Sequence, residues 1–132
     1  MRITDTVQAL FNDDRLMQLL GAELLRGEPG HVVVGYTVQD TVVQRHGSCH
    51  GGVLFSLADA AVGIAATASG SPAVTQHCSI HFMRPAALGS ALQVTAVERS
   101  SAGRSRVYDV TIVDPSEQVV AELRCSATVI ER

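Results

Sequence analysis

The feature that most constrains the fold is an apolar run from Gly51 to Ala68 that is rich in glycine and alanine. Its length predicts a helix rather than a strand. A helix that is apolar on all sides either spans a membrane or is enclosed by protein. The run is short for a hydrocarbon core of ~30 Å, and Asp59 near its middle would be costly in lipid. We therefore predict a water-soluble domain that surrounds this helix on every side.

The flanking segments predict a β-rich domain. Apolar side chains at three- and four-residue steps in residues 4–20 predict one short peripheral helix. Alternation and turn residues predict one strand before the apolar run and four after it, at residues 31–39, 73–83, 90–99, 106–113 and 119–130. This order predicts an α+β fold in which a curved antiparallel sheet wraps around a long central helix. The length of 132 residues suits one compact domain, so we expect a single domain over residues 1–132.

Composition and charge narrow the function classes. A net charge of −3 leaves no basic surplus to neutralise a nucleic acid backbone, and only 4% of residues are aromatic. The N-terminal segment has no apolar signal-peptide stretch. The chain has three cysteines, an odd number at wide spacings, which is typical of reduced thiols. They are Cys49, Cys78 and Cys125. We expect a cytoplasmic protein that binds neither nucleic acid nor membrane.

Asp59 is the strongest candidate for chemistry. It is the only formal charge between Gly51 and Met83 when histidine is neutral. A buried carboxylate is costly unless it is paired or hydrogen-bonded, so either a structural partner or a function must retain it. The residues alone leave both explanations open.

The loop from His46 to Gly52 leads directly into the N-terminus of the predicted helix. Helix N-termini present unpaired N–H groups at the positive end of the helix dipole, and glycine lets a ligand approach them closely. Gly51 and Gly52 are therefore a candidate oxyanion hole. Tight packing between helix and sheet would explain the same glycines.

Two segments resemble the hotdog-fold thioesterases of the phenylacetic acid degradation type. The first runs from His50 to Asp59 (HGGVLFSLAD), and the second is residues 80–86 (IHFMRPA), with Gly103 and Arg104 in a later turn. The resemblance covers nearly the whole chain. It implies hydrolysis of a coenzyme A thioester without a further cofactor. Asp59 would act as nucleophile or as the general base for water, and the Gly51 amide would polarise the thioester carbonyl.

The resemblance also assigns roles to other positions. In this branch an asparagine usually stands fifteen residues before the acid, where this chain has Gln44. In a related hydroxybenzoyl-CoA branch a glutamine occupies that position and is thought to orient water. Arg84 and Arg104 are candidates for the coenzyme A phosphates, although exposed arginines often serve solubility alone. The full set of implied substrate-binding residues is His50, Gly52, Thr75, Phe82, Arg84, Gly103 and Arg104. The implied acyl group is phenylacetyl or hydroxyphenylacetyl, and short or medium aliphatic groups remain open.

Three competing functions remain. Zinc ligand types occur at His46, Cys49, His50, His77, Cys78 and His81. No Cys-x-x-Cys pair is present, and a loop and a strand explain these positions, so we expect no metal site. A hotdog hydratase or dehydratase would keep the fold and use a histidine and an acid on enoyl or hydroxyacyl thioesters. A non-catalytic module that binds acyl thioesters would make Asp59 structural.

Helix geometry predicts a site shared between two chains. Gly51 and Asp59 are eight residues apart, which is about 12 Å along a helix at ~1.5 Å per residue. One carbonyl cannot reach both, because the oxyanion donor and the attacking group must each lie ~3 Å from the reacting atoms. Two antiparallel central helices across a twofold axis would bring Gly51 of one chain to Asp59 of the other. We expect a dimer with shared sites and, from the resemblance, a tetramer.

Overall fold

A six-stranded antiparallel sheet packs around one long helix, α3 (Gly51–Thr67), in the computed structural model, which describes residues 2–130. Its strands lie in the order β1-β2-β4-β5-β6-β3. They are β1 (Glu23–Glu28), β2 (His31–Thr37), β3 (Ala73–Phe82), β4 (Ala91–Ala102), β5 (Ser105–Val113) and β6 (Val119–Val129). Helix α3 contacts every strand from β2 to β6, as the predicted α+β architecture requires.

Helix α3 is enclosed on three sides and open on the fourth, which corrects the prediction of a helix wrapped all round. Its core face consists of Leu54, Leu57, Ala58, Ala61, Val62, Ile64, Ala65 and Ala66, all buried. The opposite face has a stripe of partly exposed residues that recur at three- and four-residue steps: Gly52, Phe55, Ser56, Asp59, Ala60, Gly63 and Thr67. Asp59 is therefore half-buried rather than fully buried. The run is apolar over nearly its whole length because the open face consists mostly of small residues, while the opposite face is part of the core.

The N-terminal helical segment is two helices, not the single helix predicted. Helix α1 covers Asp5–Asp13 and α2 covers Arg15–Leu20. Asp14 separates them in an extended conformation, and its Oδ1 accepts a hydrogen bond of 3.1 Å from the Met17 N–H. An aspartate at an N-cap starts a helix in this way, so the chain breaks at Asp14 and begins again.

Strand β1 is an element that the sequence prediction missed, because the glycines and the proline within residues 27–30 are typical of a turn. Gly27 lies inside the strand, and the turn occupies only Pro29 and Gly30, where Gly30 has φ +78°. A Cβ at Gly27 would lie 2.2 Å from Cγ1 of Val7. Glycine at this position therefore permits the contact between α1 and the sheet.

The two edges of the sheet are β1 and β3. The side chains of β3 that pack inward include Thr75, Cys78 and Ile80, while Val74 and Phe82 are 49% and 55% exposed. The free edge of β3 lies beside the open face of α3. Within residues 2–130, no helix has the combination of length and hydropathy needed to cross a membrane.

Candidate active site

The N-terminus of α3 leaves one amide open to a ligand. His50 caps the helix, because its Nδ1 accepts a hydrogen bond of 3.0 Å from the Gly52 N–H. The His50 carbonyl accepts hydrogen bonds from the N–H groups of Val53 and Leu54, at 3.0 and 3.3 Å. Among residues 2–130, the Gly51 N–H has no hydrogen-bond partner. This donor lies at the positive end of the helix dipole, as an oxyanion hole requires.

A cavity of about 380 Å³ opens beside this amide and is called the Gly51 cavity. The Phe82 ring lies across Gly51, so that a Cβ at Gly51 would be 3.0 Å from its Cζ. Arg84 is exposed, and its Nη1 donates to the Val119 carbonyl at 3.4 Å. The lining consists of Gln44, Ser48, Cys49, Gly51, Leu54, Phe82, Met83, Arg84, Pro85 and Ala86. The structure thus brings together three predicted site residues with the Gly51 amide.

Gln44 is held in a fixed orientation by its own loop. Its Nε2 donates to Oγ of Ser48 at 2.7 Å, and its Oε1 accepts from the His46 N–H at 2.7 Å. A glutamine amide has two N–H bonds and two acceptor lone pairs, so one of each remains free. Gln44 can therefore still hold a water or a thioester oxygen in the Gly51 cavity.

A second cavity of about 390 Å³, the Asp59 cavity, lies farther along α3. Leu10 and Asp14 contribute from the N-terminal segment, and Thr75 contributes from β3. The lining consists of Leu10, Asp14, Asp59, Ala60, Gly63, Ile64, Thr67, Ala73, Val74 and Thr75. Asp59 and Thr75, both predicted site residues, thus share one cavity, while Gly51 and Gln44 line the other.

The Asp59 carboxylate makes neither a hydrogen bond nor an ion pair within residues 2–130. The negative charge of Asp59 affects the pKa of the thiols of Cys78 and Cys125, which face each other on β3 and β6. Burial is the main reason why the pKa of each thiol is raised, and the negative charge of Asp59 raises it further. The sequence left two explanations for this carboxylate, a structural partner or a function, and no such hydrogen bond is present among residues 2–130. The carboxylate is half-buried and lines a cavity, where a ligand can reach it.

Cys49 contributes a thiol to the lining of the Gly51 cavity. Burial raises the pKa of its thiol to about 11, and its Sγ lies 3.6 Å from the His50 carbonyl oxygen. The thiol is therefore neutral at neutral pH and a poor nucleophile. In the part of the chain that the structure describes, no group of three or more His, Cys, Asp or Glu side chains is arranged to hold a metal ion.

Two predicted substrate-binding residues lie away from both cavities. Gly103 and Arg104 form the two-residue turn between β4 and β5, where Gly103 has φ +58°. The Arg104 carbonyl accepts a hydrogen bond of 2.8 Å from the Val129 N–H. Conversely, sequence reasoning missed Asp14 and Leu10, which line the Asp59 cavity. Asp14 stands just before a helix, a position from which its capping role could have been predicted.

The family model of the thioesterase superfamily matches residues 46–121, a segment that includes Gly51 and Asp59. The chain belongs to the thioesterase superfamily. It is 38% identical over 116 residues to the acyl-coenzyme A thioesterase PaaI of Escherichia coli (strain K12), covering 88% of this chain and 83% of that protein. The structure of the E. coli PaaI protein, from the phenylacetic acid degradation operon, superposes with a TM-score of 0.92. That match has 36% identity and covers 96% of this chain and 91% of PaaI. The predicted resemblance and the predicted fold class are confirmed.

Two streptococcal structures add ligands to the comparison. A Streptococcus mutans UA159 protein bound to acetyl CoA matches with a TM-score of 0.81 and 29% identity, over 84% of this chain and 90% of that one. A Streptococcus pneumoniae TIGR4 thioesterase protein with coenzyme A matches with a TM-score of 0.80 and 26% identity, over 84% and 90% of the two chains. Variants of the pneumococcal protein have alanine in place of an aspartate at its position 52 or a threonine at its position 68.

Proposed function

We propose that this protein hydrolyses acyl-CoA thioesters, with Asp59 as the catalytic carboxylate. The observation that carries the proposal is the Asp59 side chain itself: half-buried, without a hydrogen bond or ion pair in residues 2–130, and lining a cavity. The similarity to an acyl-coenzyme A thioesterase and to chains that bind acetyl CoA or coenzyme A supports the same chemistry. No cofactor is proposed beyond the coenzyme A of the substrate.

The reaction needs a donor for the carbonyl oxygen and an attacking group for the carbonyl carbon. The Gly51 N–H supplies the donor, and such a donor stabilises the developing oxyanion by about 3–4 kcal/mol. Asp59 either attacks the carbonyl carbon, releasing the coenzyme A thiolate and leaving a mixed anhydride that water hydrolyses, or takes a proton from an attacking water. In the second route Gln44, through its free N–H or lone pair, holds that water. Both routes use the Gly51 N–H and the Asp59 carboxylate.

Thr75 is proposed as a second polar group at the reacting carboxylate. It lines the cavity that contains Asp59. The aspartate and threonine that were replaced in the pneumococcal protein have the same separation along the chain as Asp59 and Thr75. A threonine hydroxyl can donate a hydrogen bond to the carboxylate or orient a water beside it.

Each active site is proposed to form between two chains. The Gly51 and Asp59 cavities lie at different levels of one helix, and neither contains both the oxyanion donor and the carboxylate. The open face of α3 has small side chains at Gly52, Ser56, Ala60 and Gly63, which allow a second helix to approach closely. The free edge of β3 lies beside that face and can pair with a second copy of itself. Such a dimer would complete two equivalent sites.

The coenzyme A moiety is assigned to the Gly51 cavity. Arg84 lines it and is exposed enough to reach a phosphate, and Phe82 offers an aromatic face beside the thioester. His50 and Gly52 shape the helix N-terminus through their mutual hydrogen bond rather than through direct contact. Arg104 and Gly103 remain proposed phosphate contacts that would have to be reached along the surface. We place the enzyme in the cytoplasm, where coenzyme A esters and reduced cysteines such as Cys78 and Cys125 coexist.

A panel of acyl-CoA esters tests the proposal, with free thiol as the readout. Phenylacetyl, hydroxyphenylacetyl, and short and medium aliphatic esters should include substrates that release coenzyme A. A change in enoyl absorbance without thiol release would identify a hydratase or dehydratase instead. No histidine is among the residues lining the Asp59 cavity or the Gly51 cavity, which favours the hydrolase. Tight binding with no turnover of any ester would identify a binding module. Light scattering in the same buffer distinguishes the proposed dimer from a tetramer of two dimers.

A further inference from the structure

The Asp59 cavity contains a second carboxylate, from Asp14, and no basic side chain among its lining residues. Oδ1 of Asp14 is used by the cap of α2, where it accepts the Met17 N–H at 3.1 Å. Oδ2 of Asp14 has no hydrogen-bond partner within residues 2–130, and Asp59 has neither a hydrogen bond nor an ion pair there. The cavity therefore has two carboxylates, and none of its lining residues is a basic side chain that could neutralise them.

The rest of the lining suits an acyl group. Leu10, Ile64 and Val74 supply apolar surface, and the Thr67 hydroxyl is occupied by its hydrogen bonds with the Ala73 backbone, at 3.4 Å. A volume of about 390 Å³ lies within the range of ligand pockets. If Asp59 attacks the thioester carbonyl, the acyl chain that follows this carbonyl must enter the same cavity.

From this arrangement we infer that Asp14 is a charge-selecting residue of the acyl pocket, one that makes the enzyme reject acyl groups ending in a carboxylate and accept neutral ones. The inference rests on the proposed thioesterase function. A terminal carboxylate would bring a third negative charge into a partly desolvated space that has two already. Repulsion between like charges a few Å apart at a partly exposed site is enough to lower the reactivity of such an ester by ~100-fold, and so to dominate selectivity.

Asp14 can be changed without losing its structural role. Asparagine and serine are both good N-cap residues, so Asp14→Asn and Asp14→Ser should each retain α2. In Asp14→Asn the capping oxygen stays and the second oxygen becomes an N–H₂ donor. In Asp14→Ser the second oxygen is absent. The control is Asp13→Asn, which removes the same charge from an exposed neighbouring residue that lines neither cavity.

The experiment measures kcat/KM for succinyl-, glutaryl- and adipoyl-CoA, each divided by the value for the neutral ester of equal length, butanoyl-, pentanoyl- or hexanoyl-CoA. In the wild type this ratio should be about 0.01 or less for the ester whose carboxylate reaches Asp14. Both Asp14 variants should raise the ratio at least ~10-fold. Asp13→Asn should leave it unchanged. Circular dichroism verifies that each variant is folded.

Two results would overturn the inference: ratios that stay within ~2-fold of wild type in both Asp14 variants, or an equal rise in Asp13→Asn. Absence of thiol release from every ester by the wild type would instead overturn the proposed function. In that case the same acid-to-neutral ratio, measured as dissociation constants by calorimetry, still decides the role of Asp14.

Discussion

The Gly51 cavity and the Asp59 cavity are almost equal in volume, at about 380 and 390 Å³, but they offer opposite chemistry. The Gly51 cavity has hydrogen-bond donors and a cation, from the helix N-terminus, Gln44 and Arg84. The Asp59 cavity has two carboxylates, from Asp14 and Asp59. Neither could hydrolyse a thioester alone, because one lacks the attacking group and the other lacks the oxyanion donor. A single helix thus borders two cavities with complementary groups, which we propose that two copies of the chain combine into one site.

The largest expected effect comes from removing the charge of Asp59. Asp59→Asn should lower kcat/KM for the best acyl-CoA ester by at least ~100-fold, as expected for a positioned acid, base or nucleophile. Thermal stability should hold or rise, because the carboxylate is half-buried without a hydrogen bond or ion pair in the described chain. Asp13→Asn serves as the control. Unchanged turnover in Asp59→Asn would show that the Asp59 cavity is not the reacting half.

The next effect tests whether the two halves meet across a dimer. Asp59→Asn and Gln44→Ala chains, each weak alone, are co-refolded. In a mixed dimer one site combines the intact Gly51 cavity of one chain with the intact Asp59 cavity of the other. With random pairing, about a quarter of wild-type activity should return. If mass spectrometry finds mixed dimers but activity stays at the level of the single variants, each site lies within one chain.

A smaller effect is expected from blocking the open face of α3. Ser56 lies on that face and lines neither cavity, so Ser56→Arg tests assembly without filling a pocket. Overpacking a tight contact costs about 1–3 kcal/mol, so the dimer should dissociate and activity should fall by at least ~10-fold. The control Ala9→Arg places the same side chain on the exposed side of α1. A fully active dimer of Ser56→Arg in light scattering would place the interface elsewhere.

The smallest effect concerns the cation of the Gly51 cavity. Arg84→Ala should raise KM by roughly 2- to 5-fold with little change in kcat, because exposed charge contacts contribute about 0.2–1 kcal/mol. Wild-type KM should rise with salt, and the variant should respond less, since salt screens such contacts. Arg99→Ala, which removes an exposed arginine that lines neither cavity and has no proposed substrate role, provides the comparison. Equal salt dependence in wild type and Arg84→Ala would remove Arg84 from phosphate binding.

The sequence predicted the central helix and strands β2 to β6 because their patterns are long and regular. Strand β1 was missed because Gly27 has a packing role against Val7 that no local pattern reveals. The break at Asp14 was missed because the apolar spacing continues across it. Asp59 and Gly51 could be found from composition and motif. The half-burial of Asp59 and the presence of Asp14 in its cavity depend on tertiary packing between α1, α2 and α3, which sequence spacing does not encode.

The free edge of β3 has a consequence for the chain before the proposed dimer forms. Strand β1, the opposite edge, is only six residues long and has charged side chains, including Arg26 and Glu28. Strand β3 is ten residues long, has no formal charge when histidine is neutral, and exposes Val74 and Phe82. A long, uncharged edge with apolar side chains recruits other strands indiscriminately. In the proposed dimer two copies of β3 would cover each other, so chains made at a low rate should stay unpaired, and open to proteolysis, for longer than chains made at a high rate.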